Sequence, residues 1–211
     1  MKNLGIFLMF IFLFSCSAQK DNPKGNAEIN STKKNLTVIE SDITNHFLKT
    51  ELDKERYKNY NGYDIFIIEE ALKKMKPLSD YEFNLKYKDS WGKSIKNWIL
   101  DTIQVKDLKF KLEKEEVYHW KISDFKIKKV SLYKNEELMT IINTSAYTNL
   151  PKRLIIFLSK PLILNDNNAL ISFDIGNGEL GNSAITHFTV LMEKVNNNWE
   201  EKEYFHDDVF Y

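Results

Sequence analysis

The chain has one cysteine, four prolines and seven glycines in 211 residues. A single thiol cannot form an intrachain disulfide, and it excludes metal sites built from several cysteines. So few glycines and prolines exclude collagen-like and low-complexity architectures. Net charge is missing as well, because 30 lysines and arginines balance 30 acids. That balance removes the global electrostatic ground for binding nucleic acid. No apolar run reaches the roughly 20 residues that span a bilayer. The longest, Leu4 to Phe14, has eleven.

That run has an address written around it. Lys2 precedes it, small Ser15 follows, and the only cysteine, Cys16, comes next. Basic start, apolar centre and small residue at the cut are the parts of an export signal. Leu13-Phe14-Ser15-Cys16 resembles the lipobox of bacterial lipoproteins, with Phe14 bulkier than the usual residue. The resemblance implies cleavage after residue 15 and a diacylglyceryl group on Cys16, making the membrane a partner through two acyl chains. Residues 17–36 are polar and rich in turn formers, so the expected organisation is a leader over 1–15, a lipidated flexible tether over 16–36 and one domain over 37–211. Gln19-Lys20-Asp21 resembles the charged export signal of surface lipoproteins of the Bacteroidota.

The domain starts with helical spacing: Ile39, Ile43, Phe47, Leu48 and Leu52, with Thr37 or Ser41 as caps and Asn61-Gly62 as a stop. Asp64–Ile68 reads as a strand, Glu69–Lys76 as a helical turn ended by Pro77, and Tyr81–Lys88 fits either period. Leu108, Phe110 and Leu112 alternate with charged residues, as do Phe125 and Ile127, which predicts two strands. Asn135 caps a short helix, and Leu154–Leu158 is a continuous apolar strand. Alternation resumes over Ala169–Ile175, and the Gly-rich loop after it reads as turn glycines. The last two strands flank Asn196-Asn197-Asn198, a three-residue hairpin loop. Helices first and strands later predict an α+β fold: an N-terminal helical segment, then an antiparallel sheet.

Chemical motifs are sparse. His206-Asp207-Asp208 is the best local candidate and, with His187 from the neighbouring strand, has ligand chemistry for a divalent cation, while a solvated C-terminal end explains the same residues. His46 and His119 lack ligand spacing. There is no Gly-x-Ser-x-Gly elbow and no phosphate loop. Ser159-Lys160-Pro161 reads as a bend between strands. Acid pairs such as Glu69-Glu70 and Glu200-Glu201 suit solvated faces. Residues 106–134 carry nine lysines against five acids, and 192–208 six acids against two lysines, which suits exposed strand faces. Trp91, in the polar stretch KDSWGKS, is a candidate platform for stacking on a sugar, whereas Trp98, Trp120 and Trp199 read as core.

The C-terminal stretch, from Leu158-Ser159-Lys160-Pro161-Leu162 to Asn198-Trp199, resembles small lipoproteins of the Bacteroidota. That likeness implies an anchored envelope domain, at the outer membrane, and brings no active site or cofactor. The expected role is binding or assembly, with an envelope protein or glycan as partner. The alternative is an envelope hydrolase with a His/carboxylate site.

Overall fold

The computed structural model describes residues 23–87, 98–142, 144, 149–178 and 183–206. Cys16, Trp91, Asp207 and Asp208 lie outside them, as do the leader and the Gln19-Lys20-Asp21 signal. The chain divides into two units, Met1–Asn35 and Leu36–Tyr211. The first contributes the helical backbone from Pro23 onward. The second holds every buried residue discussed below.

Helix α1 runs Pro23–Leu52. Pro23 suits a first turn, where a missing N–H leaves no bond unmade. The backbone of 23–36 is therefore helical, where composition predicted a flexible tether. Thr37 and Ser41 lie inside this helix and cap nothing. After a 3-10 segment over Glu55–Tyr60, Gly62 takes φ +92° and turns the chain into β1, Asp64–Ile68. Helix α2, Met75–Lys86, takes in Pro77 within its first turn instead of ending there. Of the predicted helical turn over Glu69–Lys76 only Met75 and Lys76 are helical, in α2, while Glu70 and Leu72 make isolated bridges to His119 and Ser159.

Helix α3, Thr102–Leu112, replaces the strand expected around Phe110. Asp101 accepts from the backbone of Ile103 and Gln104, and the Gln104 side chain bonds back to the Asp101 N–H. This capping box starts a helix directly. Val105, Leu108 and Leu112 then fall on one helical face, against the core that contains Leu78 and Tyr81 of α2. Phe110 is 74% exposed, so its place in the alternation was coincidence. The second expected strand, at Phe125 and Ile127, is also absent. A 3-10 turn over Ile122–Asp124 precedes β2, Val130–Tyr133. Helix α4 spans Asn135–Ile142, where a short helix was predicted.

The remaining strands are β3 (Arg153–Leu158), β4 (Leu162–Asn165), β5 (Asn168–Asn177), β6 (Ser183–Val195) and β7 (Asn198–Phe205). With β1 and β2 they make one seven-stranded sheet in the order β2-β1-β3-β5-β6-β7, β4 pairing with β5. The fold has both helices and a mostly antiparallel sheet, but the sheet is mixed, because β1 pairs parallel with both β2 and β3. Parallel neighbours need long crossovers, and α2, α3 and α4 lie in those connections. Helices are thus interleaved with the first three strands rather than all preceding them. The β6–β7 turn is Asn196-Asn197, with φ 49° and 66°, and Val195 pairs with Asn198. Positive φ at both central residues gives a two-residue hairpin turn, one residue shorter than expected.

Alternation along the strands separates the apolar cores. Ile67, Ile156, Ile171, Phe173 and Val190 meet Ile43, Phe47 and Leu48 of α1 on one face. Leu170 and Leu191 meet α2 and α3, and Phe66 and Ile155 meet Leu138 of α4, on the other. Helices therefore cover both faces, which is why β3 reads as a nearly unbroken apolar run and β5 is buried on both sides.

Candidate functional site

The histidine set comes together only in part. β6–β7 pairing reaches Thr189 opposite Phe205. His187 and His206 lie just past that pair on neighbouring chain segments. His187 is half-buried on β6 in register with Asp174 of β5, and the His206 carbonyl accepts from the Asn84 side chain at 2.9 Å. Among the described residues no group of three His, Cys, Asp or Glu side chains is placed to hold a metal ion. His119 is exposed and sits 3.1 Å from Glu69. Trp120 and Trp199 are core, at 4% and 7% exposure, as expected. Trp98 starts no strand: it lies between α2 and α3, its ring 5.3 Å from that of Tyr81.

A cleft of about 30 Å³ opens elsewhere, lined by Thr37, Glu40, Ser41, Thr44, Tyr118, Trp120, Asp124 and Lys160. The four α1 residues recur at i, i+3, i+4 and i+7, one stripe of the helix. Tyr118 and Trp120 come from the segment bridged to Glu69-Glu70, whose backbone bonds run Ala71 to Tyr118 and Trp120 to Glu69. Lys160 comes from the Ser159-Lys160-Pro161 bend between β3 and β4. Ser159 points the other way: it is fully buried, and its hydroxyl accepts from the Ser172 N–H at 2.9 Å.

Glu40 is 5% exposed. A carboxylate so placed needs partners, and it has two ammonium groups: Lys74 at 2.7 Å and Lys160 at 2.5 Å. The Lys160 nitrogen also stands 4.3 Å from the centre of the Tyr118 ring, a cation–π contact. Tyr118 donates its hydroxyl proton to Asp124 at 2.9 Å. Burial and that bond to the Asp124 carboxylate push the Tyr118 hydroxyl up to about 12, since both disfavour phenolate. Asn45, on the same helix, fixes the wall by donating to the Asp124 carbonyl at 2.8 Å and accepting from the Lys126 N–H at 2.5 Å.

One group in this frame is unsatisfied. The Thr44 hydroxyl is buried, with the residue 1% exposed, and has no hydrogen-bond partner among the described residues. A cleft this size takes one small polar group, a water or the tip of a ligand. Carboxylates, hydroxyls and two aromatic rings around it suit recognition of such a group. Glu40, held by two lysines, is arranged as an anchor for positive charge.

Two other buried polar networks act as fasteners. Glu51 is wholly buried and meets Lys54, Arg56 and the Tyr57 hydroxyl, while Lys54 also reaches Glu201 and Tyr204 of β7. Burial opposes the charge on Lys54, but its bonds to Glu201, Glu51 and Tyr204 outweigh it and raise the pKa. Asp80 of α2 accepts from Thr189 at 2.6 Å, and Thr189 meets Ser172 at 2.6 Å. The first network pins α1 to β7 and the second pins α2 to β5 and β6.

Sequence reasoning missed the cleft. Lys160 read as part of a bend between strands. The available signal was the polar stripe Thr37, Glu40, Ser41 and Thr44 beside the apolar one. Comparison with family models, curated proteins and solved structures gives no match.

Proposed function

We propose that this chain is a lipid-anchored binding module of the bacterial cell envelope, tethered through Cys16 to the outer membrane and displaying residues 37–211 as a single domain. The leader and its cysteine support the anchor. The unsatisfied, buried Thr44 hydroxyl in the Glu40–Lys160 cleft carries the binding reading. A site for one functional group suits an exposed chemical group on an envelope polymer better than a broad protein face, since stable protein interfaces bury about 800 Å² per partner. Peptidoglycan is the envelope glycan of choice, because its disaccharide-peptide units offer hydroxyl, amide and amine groups together. Among the described residues, the His187/His206 end gathers no third His, Cys, Asp or Glu ligand.

Two experiments test this. Metabolic labelling with a fatty-acid probe should mark the native chain and leave Cys16→Ala unlabelled, and undiminished label in the variant refutes the anchor. Co-sedimentation with purified peptidoglycan sacculi should retain the native protein and lose Thr44→Val. Equal retention of the two moves the binding site away from the cleft.

A further inference from the structure

Lys160 occupies the cleft as a ligand would. Its ammonium has a carboxylate at 2.5 Å on one side, Glu40, and an aromatic ring at 4.3 Å on the other, Tyr118. Carboxylate plus ring face is the pairing that recognises an organic cation. The surrounding groups point to the same class. Asp124 brings a second carboxylate, and the Thr44 oxygen is an unused acceptor that an N–H could satisfy. Lys74 neutralises Glu40 from its other oxygen. With Lys160 swung out, Glu40, Asp124 and Lys74 leave one uncompensated negative charge. The half-buried Asp124 carboxylate then favours a cation beside it.

From this we infer that the cleft is a primary-ammonium site, and that Lys160 is its built-in occupant, displaced when an alkylammonium group of the ligand enters. The inference rests on the cleft-binding reading above and adds the chemical class recognised. Lys160 is 19% exposed at the end of a flexible stem, so it can leave without disturbing the bend. Competition with an internal occupant lowers the apparent affinity by the fraction of open sites. Removing Lys160 should therefore tighten binding of a small amine.

The test is a thermal-unfolding titration of the full chain with methylammonium chloride, with sodium chloride as the ionic-strength control. Lys160→Ala should show a saturable rise in Tm, with an apparent affinity roughly tenfold or more above that of the native protein. Lys160→Met also removes the built-in ammonium and should show a rise too, smaller where its stem still fills part of the cleft. Adding Glu40→Gln to Lys160→Ala should abolish it. An affinity in Lys160→Ala no higher than in the native protein, or a response matched by sodium chloride, overturns the ammonium assignment. Retention on sacculi together with a failed methylammonium titration keeps the binding reading and removes only this inference.

Discussion

The Glu40 carboxylate and the Lys160 ammonium meet at 2.5 Å and join the first helix to the bend between β3 and β4. Everything assigned to the cleft is organised around that contact. Lys74 completes the charge balance, Tyr118 lies beneath the lysine, and Thr44 is left with an open hydrogen-bonding position.

Thr44→Val exchanges an unsatisfied buried hydroxyl for a methyl group of the same shape. Leaving such a group unbonded costs about 1–3 kcal/mol, so its removal should stabilise the free protein by about 1 kcal/mol. Tm should rise by about 2–4 °C for a chain of this size. A fall of similar size in calorimetry means that the hydroxyl is bonded in the folded state.

Glu51→Ala should be the most damaging of the substitutions considered. It strands Lys54 and Arg56 and leaves the Tyr57 hydroxyl without its acceptor. Removing one partner from a buried charge network costs about 3–5 kcal/mol. Urea unfolding should show a lower midpoint with an unchanged slope, and a loss under about 1 kcal/mol contradicts the fastener role.

Alkaline pH should weaken the fold in a defined window. The Tyr118 pKa is raised in the folded state, by burial and by Asp124, from 10.0 to about 12. The folded chain then holds a proton that the unfolded chain releases, so stability is complete below pH about 10 and declines as pH rises toward about 12. Tyr204, likewise raised to about 12 by burial and Glu201, contributes in the same direction. Tyr118→Phe should flatten part of the decline in Tm measured across that range. An unchanged profile contradicts the assignment to Tyr118.

Phe110→Ser should change stability by no more than about 0.5 kcal/mol, whereas Leu108→Ala should cost about 1–3 kcal/mol. In the strand that alternation predicted, both would face the core. On α3, Leu108 packs against the second core while Phe110 faces outward at 74% exposure. Chemical denaturation of the two variants separates these cases.

That pair also marks how far the sequence could be read. Leu154–Leu158, Ala169–Ile175 and the closing hairpin were legible because buried strands and asparagine turns have local causes. Phe110 misled because Leu108 and Leu112, four residues apart, fit a helical face as well as a strand face, and Asp101 with Gln104 decides between them at a distance. Parallel pairing of β1 with β2 and β3 was invisible, since no residue in Asp64–Ile68 records which strand will lie beside it. The cleft was hidden for the same reason: Glu40, Tyr118 and Lys160 meet only after the sheet has formed.

The most direct test is an NMR titration of the native chain with a soluble disaccharide-peptide fragment of peptidoglycan, following the Trp120 indole N–H. Trp120 lines the cleft, its indole N–H donates to the Leu158 carbonyl at 3.3 Å, and Trp120→Phe identifies its signal. The expected result is a saturable shift of this resonance in the native protein that is strongly weakened in Thr44→Val. No shift at Trp120, or the same shift in both proteins, contradicts binding at the cleft.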